Sequence, residues 1–172
     1  MSGGDPLVVV DVVRQRLHLY RGGEERFSTP ISTAANGTGE QQGSHCTPRG
    51  WHQVRARIGE GCAVGTVFVG RRPTGEIYTP ELARRAPARD WILTRILWLS
   101  GLEPGRNRLG EVDTMRRYIY LHGTPDEANL GRPVSHGCIR MGNEAIITLF
   151  AQVPVGTRVY VGEMERPPLR TA

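Results

Sequence analysis

The sequence contains no lysine: all 22 of its basic residues are arginine. That absence excludes Schiff-base chemistry on a lysine amine and the phosphate-binding lysine of a P-loop. Aromatic residues are scarce, at 6%, and the arginines are scattered, with doublets at Arg71-Arg72, Arg84-Arg85 and Arg116-Arg117. A net charge of +5 with few aromatics, and without an RRM, KH or helix-turn-helix pattern, argues against a nucleic-acid partner. The charge instead fits a solvated surface biased towards acidic small molecules. Long apolar runs are also missing. Asp11 interrupts the first and Arg95 the stretch from Trp91 to Leu99, so no transmembrane segment is expected. Three cysteines, Cys46, Cys62 and Cys138, cannot all pair and follow no disulfide spacing, so reduced thiols are expected.

What is present fits one globular domain of 172 residues, 38% of them hydrophobic. The 22 glycines and 12 prolines imply many turns and therefore many short strands. Alternation predicts a hairpin from Leu7–Val13 and Leu17–Tyr20, turning at Arg14-Gln15, and a third strand over Arg26–Thr33. Ala34–Ser44 reads as a loop by composition. Further strands are expected at Trp51–Ile58, Thr66–Val69, Trp91–Leu99 and Arg117–Leu121, the last running straight into His122. One helix stands out, with Asn143 as N-cap, Glu144 in its first turn, and Ala145, Ile146, Leu149 and Phe150 as its apolar face. Arg158–Val161 closes a mainly β, sandwich-like domain with one short helix after the cysteine turn. The domain is expected to cover 7–162, with 163–172 a flexible tail.

The chemistry concentrates between Leu121 and Met141. A strand ends in His122-Gly123-Thr124, and Ser135-His136-Gly137-Cys138-Ile139-Arg140 follows a polar loop. A thiol beside a fixed imidazole is the minimum equipment for acyl transfer through a thioester. Gly137 permits a backbone conformation closed to other residues. The amides of such a turn can converge on an anion. Taken alone, a histidine at a strand end is a boundary residue and a cysteine is a small hydrophobe; together with the glycine-flanked turn they point to catalysis. Zinc is the rival chemistry, with His122, His136 and Cys138 as possible ligands, but their spacing does not match the usual ligand pairs. The second His-Cys pair, His45-Cys46, lacks the intervening glycine and is followed by Pro48. Cys46 and Cys62 are therefore read as non-catalytic.

On these motifs the chain resembles the L,D-transpeptidase catalytic domain (YkuD-like) family. The N-terminal hairpin, Pro30-Ile31-Ser32-Thr33 and Thr47-Pro48-Arg49-Gly50 extend the likeness over roughly residues 7 to 162. The resemblance implies a bacterial enzyme acting on peptidoglycan stem peptides or muropeptides, with no metal and no organic cofactor. Cys138 would attack the carbonyl of the third stem residue, a diamino acid, and expel D-alanine. His122 would take the thiol proton, oriented by the Gly123 carbonyl. The amides of His136, Gly137 and Cys138 would form the oxyanion hole, Ser135 would brace the turn, and Arg140 would order the site or attract a substrate carboxylate. The N-terminus shows no export signal. A cytoplasmic protein is therefore expected if the chain is full-length, and a periplasmic or cell-wall protein if a signal was removed. The first reading points to an L,D-carboxypeptidase of peptidoglycan recycling. The alternatives are a wall-cross-linking or D-amino-acid-exchanging L,D-transpeptidase and, from another class, a non-catalytic or zinc-binding structural domain.

Overall fold

The structure is a computed structural model that describes residues 4–163. The tail expected over 163–172 lies, apart from Glu163, outside the described residues.

The alternation at the N-terminus does form a hairpin. β1 (Pro6–Asp11) and β2 (Arg16–Arg21) pair antiparallel, and β3 (Glu24–Ser32) continues the meander. Next come β4 (Gly50–Ile58), β5 (Thr66–Val69), β6 (Arg72–Ile77) and the short helix α1 (Pro80–Arg85). The apolar segment that begins at Trp91 is a strand, β7 (Ile92–Gly101), as its β-branched content predicts. β8 (Tyr120–Gly123), β9 (Ile139–Met141), helix α2 (Asn143–Phe150) and β10 (Arg158–Gly162) complete the described chain.

Eight strands follow one another in the order β4, β10, β1, β2, β3, β9, β8, β7, and β7 pairs back onto β4. The sheet is thus a closed ring, barrel-like and mainly β, from which β5 and β6 project beyond β7. Most pairings are antiparallel; β1 with β10 and β8 with β9 are parallel. The inner face is filled by alternate residues of every ring strand, among them Val10, Leu19, Leu99, Leu121 and Ile139. Ile146, Leu149 and Phe150 of α2 join the same core. Each such side chain contributes roughly 1.5–3 kcal/mol relative to exposure. A second, smaller cluster of Phe68, Ile96 and Tyr120 lies apart from this core, on positions that alternate with the inward ones.

Two expectations need correction. The strand before His122 begins at Tyr120 rather than Arg117, because Tyr118 has φ of +56°, a left-handed conformation that breaks extended pairing. Asn143 is not the N-cap of α2; Gly142 is, and Asn143 is the first helical residue. The Asn143 N–H donates to the Glu127 carboxylate at 2.7 Å. That frees its side chain to donate to the Thr124 carbonyl (2.8 Å) and to accept from Thr94 Oγ1 (2.5 Å).

His52 on β4 is fully buried, with Nδ1 donating to the Gly50 carbonyl at 3.0 Å and Nε2 accepting from Thr114 Oγ1 at 3.0 Å. Burial depresses its pKa to about 4. The folded state therefore refuses a proton that the unfolded chain accepts. The stability this represents is present above pH 6.5 and is lost as pH falls through about 4, amounting to about 3 kcal/mol. Urea unfolding at pH 7 and pH 4.5 should show the loss, and His52→Gln should flatten it. Equal slopes in both proteins would dismiss His52 as its source.

Candidate active site

The site arises from the parity of two short strands. Ile119 and Leu121 point into the core, so Tyr120 and His122 point the other way. Ile139 and Met141 likewise point inward, leaving Cys138 and Arg140 on the outer side. The parallel register pairs Leu121 with Ile139 and His122 with Arg140. These two strands thus bring His122, Cys138 and Arg140 into the lining of one cleft of about 550 Å³.

The cysteine turn is folded upon itself. Ser135 is held by backbone bonds from its own N–H to Thr33 O and from the Ala35 N–H to its carbonyl, both 2.9 Å. Its hydroxyl donates to the Cys138 carbonyl (2.5 Å) and accepts the Gly137 N–H (3.2 Å). Gly137 has φ of +133°, and a Cβ there would press on the Cys46 carbonyl and Ile119, each at 3.4 Å. Glycine is required for the conformation as well as the space. Among the described residues, the amides of His136 and Cys138 donate to no protein acceptor, whereas the Gly137 amide is engaged.

Cys138 is half-buried beside Tyr120. Its Sγ accepts from the Tyr120 N–H and its S–H donates to the Tyr118 carbonyl, both at 3.3 Å. Burial pushes the thiol pKa up to about 12; the Tyr120 bond, Arg140 and Arg117 pull the other way without overcoming it. The resting group is a neutral thiol. His122 is buried, and that burial holds its pKa below the ordinary imidazole value. Its Nδ1 lies 2.7 Å from the Gly123 carbonyl. A carbonyl can only accept, so Nδ1 carries the proton and Nε2 presents a lone pair. Gly123 itself is packed so tightly that a Cβ would come within 2.5 Å of Asn143 Oδ1 and 2.7 Å of the Leu93 carbonyl.

β7 contributes a bulge at this point. Leu93 opposes Gly123 and Ile96 opposes His122, so Thr94 and Arg95 are extra. Thr94 has φ of +76°, unusual for a β-branched residue, and is secured by the Gly65 N–H and Asn143 Oδ1.

Charge in the cleft is mostly positive. Arg140 Nη2 lies 3.4 Å from Asp90, to which exposed His136 makes a long 4.0 Å approach. Arg117 is turned to the loop of residues 34–47, donating to Gly39 O (3.1 Å) and Cys46 O (2.6 Å). Arg71 stacks on Trp98 and Tyr118, with its guanidinium carbon 4.6 and 4.8 Å from the ring centroids, and donates to Tyr120 Oη at 3.0 Å. Sequence reasoning missed Arg71 and Asp90, which come from separate segments, and Tyr118, which it reads only as part of the strand leading to His122. Of Asp113, Arg116 and Arg117, all close in sequence to His122, Arg117 lines this cleft, while the other two line a separate depression. Cys46 and Cys62 lie outside the cleft lining, and all three thiols are free. Among the described residues, no three His, Cys, Asp or Glu side chains are grouped to hold a metal ion. No described helix is long and apolar enough to cross a membrane.

Comparison with known proteins bears on this geometry. The family model of the L,D-transpeptidase catalytic domain (YkuD) matches residues 5–161. A Fuscovulum blasticum protein from the ATP synthase subunits region, named as an L,D-transpeptidase, is 31% identical over 171 residues, covering 93% of this chain and 71% of its own length. The Salmonella typhimurium protein named probable L,D-transpeptidase ErfK/SrfK is 30% identical over 93% of this chain, which spans 44% of that relative. Among solved structures, an L,D-transpeptidase from Mycobacterium smegmatis shares the fold, with a TM-score of 0.56 at 20% identity, over 93% of this chain and 59% of that one.

Proposed function

Because the chain belongs to the L,D-transpeptidase catalytic domain family, whose members are cysteine-dependent enzymes, we propose that it transfers the acyl group of a peptidoglycan stem tetrapeptide. The bond cut is the L,D bond between the third residue, a diamino acid, and the terminal D-alanine. The observation that carries this reading is the pairing, in one cleft, of a neutral thiol at Cys138 with a buried imidazole whose Nε2 is a bare lone pair.

In this mechanism Nε2 of His122 takes the thiol proton as Sγ bonds to the scissile carbonyl carbon. The carbonyl oxygen becomes an oxyanion facing the free amides of the turn, His136 and Cys138. Collapse breaks the C–N bond, and the imidazolium returns its proton to the departing D-alanine amine. The acyl group is left as a thioester on Cys138. An acceptor then gives its proton to His122 and attacks the thioester, and the thiol is restored. Arg140, adjacent to His122 in register, supports the cationic lining that suits a substrate rich in carboxylates.

Water needs no dedicated site, and hydrolysis would make the protein an L,D-carboxypeptidase that trims tetrapeptides to tripeptides. A specific observation favours transpeptidation as a second reading. A smaller cleft of about 240 Å³ shares Asp90, His136 and Arg140 with the first and carries Asp126 as well. Its carboxylates suit the ammonium group of an acceptor stem.

The test is mass spectrometry of a disaccharide-tetrapeptide incubated with the protein. Tripeptide and free D-alanine alone are expected for hydrolysis; dimers, or exchange of added D-amino acids, for transpeptidation. An untouched tetrapeptide would refute the substrate assignment.

A further inference from the structure

We propose that Thr47 is a positioning residue for this acyl transfer, its hydroxyl setting the plane of the Gly137–Cys138 peptide so that the Cys138 N–H faces the cleft as an oxyanion donor. The inference rests on the reading of Cys138 as nucleophile. Thr47 is fully buried and does not line the cleft. Its Oγ1 accepts the Ala34 N–H at 3.0 Å and donates to the Gly137 carbonyl at 2.9 Å. With one side of the oxygen receiving a proton, the hydroxyl's own proton is committed to Gly137.

That carbonyl shares a peptide unit with the Cys138 N–H. No peptide bond of the described chain is cis. In a trans unit the C=O and N–H point in opposite directions, so holding one aims the other. The Gly137 carbonyl is held from behind the turn, and the Cys138 amide therefore faces away from Thr47. It donates to no acceptor among the described residues. The Gly137 amide is spent on Ser135. The hold matters because glycine has wide conformational freedom: at Gly137 the side chain that would narrow the choice is absent.

Thr47 is itself fixed on both sides. Its N–H donates to Gly37 O and its carbonyl accepts from the Gly39 N–H, each at 3.0 Å. Arg117 grips the same loop at Cys46 O and Gly39 O. Half-buried and bonded to the loop, this arginine braces the element that orients the turn.

The experiment compares two reactions of Cys138. Alkylation by iodoacetamide displaces iodide at a saturated carbon and develops no oxyanion. Acylation by the carbapenem imipenem, followed as a mass adduct, passes through a tetrahedral oxyanion. Thr47→Val keeps the β-branch and removes the hydroxyl. Acylation should fall about 10–100-fold, part of the cost of losing an oxyanion donor, while alkylation stays within about twofold. Tetrapeptide turnover should lose kcat rather than gain KM, and Thr47→Ser should restore both acylation and turnover. If Thr47→Val does not fold, the smaller Thr47→Ala is read in the same way. Parallel loss of alkylation and acylation, or acylation equal to wild type, would overturn the role of Thr47 and leave the reading of the site standing. Wild-type protein that is alkylated but accepts no acyl group from either imipenem or tetrapeptide would overturn that reading and this inference with it.

Discussion

Cys138→Ala is expected to abolish turnover of the tetrapeptide, by on the order of 10⁴-fold or more, with the fold unchanged. The size follows from the lack of a substitute. Ser135 carries the hydroxyl within the turn itself, and its oxygen is already bonded to the Cys138 carbonyl and the Gly137 amide. The fold survives because the thiol is half-buried at the margin of the smaller cluster, outside the main core. Its removal should cost about 1 kcal/mol or less. The thiol's protonation supplies a companion measurement. With its pKa pushed up to about 12 by burial, alkylation should accelerate roughly tenfold per pH unit from pH 7 to 10. A free cysteine would level off above about pH 8.5. A plateau already at neutral pH would reveal a resting thiolate and remove the need for proton transfer to His122. Turnover retained in the alanine variant would refute the nucleophile outright.

His122→Ala should reduce kcat/KM by roughly 10²–10⁴-fold, the usual contribution of a positioned general base. Its signature lies in the pH profile. Burial holds the imidazole pKa below its ordinary 6.5, so the basic form persists further into acid than in a free histidine. Wild-type kcat/KM should hold its plateau below pH 6.5 and decline only at lower pH. In the variant the residual rate should lose that acid limb. Because the ring is buried, a melting curve must accompany the kinetics, and His122→Asn offers a polar replacement if alanine leaves the protein unfolded. An unchanged rate would transfer the base to His136, an exposed side chain that lines the same cleft.

Much of this site was legible before any coordinates, because it obeys a two-residue period. The alternation of Ile119, Tyr120, Leu121 and His122 distinguishes core from cleft, and Gly137 beside Cys138 announces a special backbone. What could not be read depends on long-range packing. β9 is three residues long and exists because β3 and β8 flank it. β6 carries Pro73 and Gly75, which argue against a strand, yet the Gly70-Arg71 turn folds it onto β5. Both turn residues have positive φ, which arginine does not advertise. α1 did carry its signals, Thr79 capping the Leu82 N–H and Pro80 opening the helix. Asn143 misled for a physical reason: its cap-forming side chain was required at Thr94 and Thr124, and Glu127 took over the helix terminus. Ala34–Ser44 reads as a plain loop in composition, and its value lies in leading to Thr47, which reaches Gly137 across 90 residues of sequence.

The ring also sets a timetable for synthesis. β10 fits between β1 and β4, so the outer edge of β1 and one edge of β4 have no partners until residues 158–162 emerge. At ordinary translation speeds of about 5–20 residues per second, the roughly 150 residues separating β1 from β10 take about 8–30 s to appear. For that interval a valine-rich strand is exposed with an open ladder, the kind of edge that neighbouring chains can extend. A chain released short of Arg158 never leaves that state, whereas one that reaches Gly162 removes both edges in a single docking step.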